Sequence, residues 1–240
     1  MPVRLLILLI ALLLGAAACG GDDDEGGEAT PPTTTAEQTT TEETTTEETT
    51  TAETAEDAGC VRVDQPEPKP EGTGSAPTQI LDATKTYRLV VDTSCGQFTI
   101  ELDLESAPQT TASLVALARA GFYDGTTFHR VVPGFVIQGG DPTGTGSGGP
   151  GYTTVDTPPA DTTYTSGVVA MAKTPAEPAG TSGSQFFVVT GGDIGLPPDY
   201  AVVGRVVEGM ETVGLIDALG AGDGPPSQPV VIEKVTVEES

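Results

Sequence analysis

Tryptophan is absent from this chain of 240 residues, histidine occurs once, and aromatic residues make up 5% of it. Basic residues are scarce as well: 10 Lys and Arg face 35 Asp and Glu, a formal net charge of −25. Binding nucleic acid needs a basic footprint, so that class is excluded. One histidine and three cysteines leave no set of metal ligands. Ser184 does not sit in a Gly-x-Ser-x-Gly nucleophile elbow. His129 reads as a packed strand residue. No apolar run is long enough to cross a bilayer: Leu5 to Ala18 is about 14 residues, where roughly 18–20 are needed. Gly144-x-Gly146-x-x-Gly149 fits a dinucleotide fingerprint by pattern. That motif requires a helix directly after it, and Pro150-Gly151-Tyr152 will not start one, so a flexible glycine loop and no cofactor are expected.

What the N-terminal part does have is order. Arg4, the aliphatic run Leu5–Leu14 and the small residues Gly15-Ala16-Ala17-Ala18 follow the layout of a secretory signal over residues 1–18. Cys19 after three alanines resembles a bacterial lipoprotein box, although Ala16 stands where leucine is commoner. The resemblance implies that Cys19 is the lipid attachment and holds the protein to a membrane outside the cytoplasm. An ordinary cleaved signal with an incidental Cys19 and a secreted product is the alternative. Residues 19–59 then form a disordered acidic, Thr-rich tether, with 13 carboxylates and no Lys or Arg between 20 and 59. Such a chain has nothing to bury and a reach on the order of 35 Å, more when charged. Cys60 and Cys95 remain as an even pair in an exported protein. A disulfide between them closes a loop of about 35 residues, worth roughly 3–4 kcal/mol, and pins the Pro-rich lead-in 60–84. Two unpaired thiols are the alternative.

Residues 85–240 are left for one domain with a sizeable core. Tyr87–Val91 and Gln97–Leu104 are β-branched segments around a Ser-Cys-Gly turn, a hairpin pattern. Pro108 opens a segment with Leu114, Leu117 and Ala118 at helical spacing, ending near Gly121. Strands are expected around 127–132, 135–139, 167–172, 185–190, 201–207 and 229–237, and a second helix over 211–219. Many short strands with only two helices predict an antiparallel barrel or sandwich.

The most informative stretch is Phe128-His129-Arg130-Val131-Val132-Pro133-Gly134-Phe135-Val136-Ile137-Gln138-Gly139-Gly140-Asp141. It reads as two strands joined at Pro133-Gly134, with Arg130 and Val132 on one face of the first and Val136 and Gln138 on one face of the second. A cation and an amide among apolar neighbours suit a neutral, carbonyl-rich ligand such as a peptide. The run closely resembles the central motif of the cyclophilin-type peptidyl-prolyl cis-trans isomerases. Gly167-Val168-Val169-Ala170-Met171-Ala172, Gly183-Ser184-Gln185-Phe186-Phe187 and the loop Leu196–Gly204 are similar to further blocks of that family in the same order.

That resemblance implies a closed eight-stranded antiparallel β-barrel capped by two α-helices, over roughly residues 86–237. It implies an isomerase acting on proline-containing peptides and folding proteins, with no cofactor, and a monomer is expected. Arg130 matches the principal catalytic residue, with Phe135 and Gln138 beside it. Phe135, Val136, Phe187 and Leu196 match the apolar pocket for the proline ring. Ala172 matches the strand edge that meets the peptide, and Gln185 lies near the adjoining groove. Val136 stands where the family often has Met, Gly195 where it often has Trp, and Tyr200 where many members have His. The missing Trp argues against tight cyclosporin binding. A non-catalytic peptide-binding module tethered at the cell surface is the alternative function.

Overall fold

The computed structural model describes residues 59–240; the expected signal at 1–18, the lipid-bearing Cys19 and the tether up to residue 58 lie outside the described residues. In chain order the elements are β1 (Tyr87–Thr93), β2 (Gly96–Leu102), α1 (Pro108–Arg119), β3 (Thr126–Thr127), β4 (Arg130–Val132), β5 (Val136–Gly139) and β6 (Thr154–Val155). They continue with β7 (Val168–Met171), β8 (Thr181–Ser182), β9 (Phe186–Val189), β10 (Val202–Glu208), α2 (Met210–Ala218) and β11 (Val231–Glu239). Among the described residues no helix is long and apolar enough to cross a membrane.

Nine strands form one antiparallel sheet in the order β3-β11-β1-β2-β10-β7-β9-β5-β4. Its two edge strands, β3 and β4, are the ends of a single segment, Thr126–Val132, interrupted at Phe128 and His129. The segment changes partner in passing: β3 pairs with β11, and β4 pairs with β5. The sheet therefore curls until both ends share one stretch of chain, and an isolated bridge joins Thr127 to Asp141 just beyond β5. Eight strands in a closed ring were expected. The ninth arises from this split, and no ladder joins β3 to β4.

A two-stranded sheet of β6 and β8 was not foreseen, being too short to show a period. It has a clear task. Helix α1 begins after Ala107, whose side chain makes no capping bond. Asp156, one residue beyond β6, supplies the cap from a distance by accepting from the Thr110 amide at 2.7 Å and the Thr110 hydroxyl at 2.6 Å.

Period-two alternation divides the apolar residues between two clusters. On β5, β7 and β9, Ile137, Val169, Met171, Phe186 and Val188 face the main core inside the curl, with α1 and α2 packed at its ends. Their neighbours Val136, Val168, Ala170, Phe187 and Val189 face the other way into a smaller cluster. The small cluster is also buried, and it forms the base of the site.

Candidate active site

The β4–β5 hairpin brings the central pair together by register. Arg130 lies opposite Gln138, Val131 opposite Ile137, and Val132 opposite Val136. Phe135 closes the turn, donating its amide to Val132 O at 2.9 Å. Arg130 Nη1 donates to Gln138 Oε1 at 3.3 Å, and Gln138 Nε2 donates to Gln185 Oε1 at 3.0 Å. Gln185 Nε2 in turn donates to Gly148 O at 3.0 Å. On its other side the guanidinium grips Asp223 in a bidentate pair, Nε to Oδ1 at 2.6 Å and Nη2 to Oδ2 at 3.1 Å. These bonds engage three of the five guanidinium N–H groups and leave one on each Nη, half-buried at the surface. The pairing with Arg130 holds the Asp223 carboxyl below its ordinary pKa.

Beside this pair lies the apolar pocket. Val136 and Phe187 form its buried base, and Phe135, Leu196, Tyr200 and Ala172 pack around it half-exposed. Phe187 and Tyr200 meet edge-to-face with ring centres 5.6 Å apart. Ala172 flanks the pocket, its amide taken up by Gln185 O at 2.9 Å. All nine residues expected at the site are thus linked: six lie in the apolar cluster, three form the Arg130–Gln138–Gln185 chain, and the two groups meet where Gln138 pairs with Phe187 and Ala172 N donates to Gln185 O.

This arrangement belongs to a known family. Residues 88–237 match the description "Cyclophilin type peptidyl-prolyl cis-trans isomerase/CLD". The chain is a member of the cyclophilin-type prolyl isomerases. Peptidyl-prolyl cis-trans isomerase B of Bacillus subtilis is 48% identical over 112 residues, covering 46% of this chain and 76% of that protein. Peptidyl-prolyl cis-trans isomerase A of Mycobacterium tuberculosis is 37% identical over 172 residues, covering 63% and 92%. A crystal structure of a Cryptosporidium parvum cyclophilin superposes with a TM-score of 0.59 at 30% identity, covering 64% of this chain and 98% of that one. The same parasite protein was also solved in the presence of the dipeptide Ala-Pro, and that structure superposes with a TM-score of 0.58.

Within this cyclophilin, three site residues have no signal in the sequence. Tyr164 is fully buried in the pocket cluster; its hydroxyl donates to Tyr200 O at 2.8 Å and accepts from Tyr200 N at 3.0 Å. It thereby fixes the loop that carries Tyr200. Burial raises the Tyr164 pKa, so the hydroxyl stays a donor. Ile194 packs into the same cluster beside Gly195, which is itself exposed. The third is Asp223, 93 residues along the chain from Arg130 and visible only once the fold is closed.

The glycine loop after β5 explains its own decoy pattern. Asp141 is buried, and its carboxylate accepts from Gly146 N at 2.6 Å and Gly148 N at 3.2 Å. Thr143 adds its amide at 2.7 Å and its hydroxyl at 2.9 Å. The amides that a phosphate would need are thus turned onto the protein's own anion. Burial pushes the Asp141 carboxyl up, but these bonds outweigh it and hold the pKa below the ordinary value. A side chain at Gly148 would collide with Asp141 Oδ1. His129 lies next to Arg130, and among the described residues both of its buried ring nitrogens lack a hydrogen-bond partner. Its pKa is lowered by burial, with Asp141 opposing.

Proposed function

We propose that the groove accelerates rotation about X-Pro bonds by binding the twisted amide better than either planar isomer. The family and its relatives support an isomerase; the step itself rests on the Arg130 guanidinium, held by Gln138 and Asp223 beside the apolar cluster with two N–H groups free. The X-Pro bond resists rotation by about 18–20 kcal/mol because nitrogen lone-pair resonance gives C–N double-bond character. In the twisted state that lone pair localises on the prolyl nitrogen, which becomes an acceptor. With the ring seated against Phe135, Val136, Phe187, Leu196 and Tyr200, a free N–H of Arg130 donates to that nitrogen. Gln138 holds Nη1 and offers its amide to the substrate backbone. The interaction exists only in the transition state, which is what lowers the barrier. No bond is made or broken.

The deciding comparison is wild type against Arg130→Ala on a proline peptide in an isomer-specific assay. We expect kcat/KM to fall at least about 100-fold, with the thermal midpoint little changed because the main partner of Arg130 is the exposed Asp223. A wild type that adds nothing to the uncatalysed rate leaves only a peptide-binding module.

We further propose that the protein works as a monomer outside the cytoplasm, held to a membrane by lipid on Cys19, and assists folding where uncatalysed isomerisation takes tens to hundreds of seconds. The signal-like N-terminus, the alanines before Cys19 and the acidic Thr-rich stretch after it support this location. Mass spectrometry of the mature N-terminus from native membranes tests it; an unlipidated chain starting elsewhere than Cys19 overturns the anchor.

A further inference from the structure

The lead-in before the family segment is built onto the domain. The structure joins Cys60 to Cys95 in the β1–β2 turn by a disulfide, and Val61 N donates to Ser94 O at 2.7 Å. Further along, Lys69 Nζ donates to Phe122 O at 2.7 Å and Asp124 O at 3.0 Å, while its amide donates to Pro142 O at 2.8 Å. Gly72 N then donates to Gly149 O at 2.9 Å and Gly74 N to Pro150 O at 3.0 Å. The backbones are so close that a Cβ at Gly72 would lie 2.6 Å from Pro150 O. Residues 69–74 thus form a strap along the outer side of the glycine loop.

The strap reaches the substrate side as well. A hollow of about 560 Å³ continues from Gln138, Ala172 and Gln185, and Glu71 of the strap forms part of its wall. Two other charges line this hollow, and both are engaged within their own turn. Lys173 Nζ donates to Glu177 O at 3.1 Å and stands 5.5 Å from the centre of the Tyr200 ring. Glu177 Oε2 accepts from the Thr174 amide at 2.6 Å and hydroxyl at 2.9 Å. The Glu71 carboxylate is exposed and has no hydrogen bond or salt bridge among the described residues.

The geometry points to Glu71 as a specificity-determining residue, favouring peptides with a basic side chain near the proline. This rests on the isomerase reading of the same groove and adds a substrate class to it. The strap lies outside the matched family segment 88–237, so the preference belongs to this chain's own extension. An unengaged carboxylate in a solvated wall attracts a Lys or Arg side chain and repels Asp or Glu, and exposed pairs of this kind are worth about two- to five-fold.

The test uses the full chain, with matched proline peptides carrying Lys, Gln or Glu at each of three positions on either side of the proline. Both kcat/KM and peptide Kd are read for wild type, Glu71→Gln and Glu71→Lys. At one position at least, the Lys peptide is expected to exceed the Glu peptide about two- to five-fold in wild type at low salt. The ratio should approach one in Glu71→Gln and invert in Glu71→Lys, with the Gln peptide unchanged throughout. A wild type that does not discriminate, or discrimination that survives both substitutions, overturns the assignment. Charge-dependent Kd without any acceleration leaves the Glu71 assignment standing and removes the isomerase reading.

Discussion

The two ends of the groove are made differently. At the proline end, Arg130, Gln138, Val136 and Phe187 stand on paired strands, so ladder register sets their positions. Sliding one strand by a residue would turn the whole set to the opposite face. At the far end the walls are irregular chain: the loop wound around Asp141, the Lys173–Glu177 turn and the strap. On the proposed function, the reacting contacts sit on ladder-paired strands and the selective contacts on irregular chain, which tolerates change better.

Removing the Cys60–Cys95 disulfide loosens the strap's anchor and has the largest expected effect on stability. In Cys60→Ser with Cys95→Ser we expect unfolding free energy to fall by about 3–4 kcal/mol, from the loop of 35 residues that the disulfide closes. Denaturant titration measures it. While the protein stays folded, the rate on a neutral peptide should hold and the discrimination by charge should weaken.

A substitution at Asp223 sharpens the contrast, since this loop residue orients the strand-borne Arg130. Asp223→Ala is expected to lower kcat/KM about three- to ten-fold, the worth of one charge-assisted contact at a partly exposed site. Restoring most of the rate with Glu or Asn would distinguish positioning from loss of fold. The pH profile carries a sign as well. The Asp223 pKa is depressed, so the pair is complete above the ordinary carboxylate value of about 3.9 and is lost only as pH falls through the lower native value. Wild-type kcat/KM should hold further into acid than an unpaired Asp would allow.

The smallest expected effect is at His129. The native ring stays neutral while the unfolded one takes a proton below about 6.5, so stability falls as pH drops from about 7 towards the lowered native value. Thermal midpoints of wild type and His129→Leu across that range should differ in slope, and the variant should be flatter. Parallel slopes would show that the buried imidazole titrates normally.

The strand-built end was legible before the structure because its rules are local. The Pro133-Gly134 turn and period-two alternation place Arg130 opposite Gln138 within nine residues of chain. Alternation set Val136 on one face with Gln138, whereas Phe187 was joined to Val136 only by the family resemblance, since two strands about 50 residues apart share no local rule. Tyr164 and Ile194 were illegible because an aromatic or an aliphatic residue in a Gly- and Pro-rich stretch carries no period. The β6–β8 pair was missed for the same reason, and its use, capping α1 through Asp156, spans 46 residues.

Residue order alone determined the succession of the longer strands and the two helices, the faces of the β4–β5 hairpin, and the apolar and cationic character of that hairpin. These follow from dihedral preference and side-chain alternation, which act over a few residues. Tertiary structure alone decided that one split strand carries both ends of the sheet, that Asp223 grips Arg130, and that Asp141 occupies the glycine nest. It also laid the strap, with Glu71, along the groove. Each of these depends on groups far apart in sequence meeting at hydrogen-bond distance, and only the packed core brings them there.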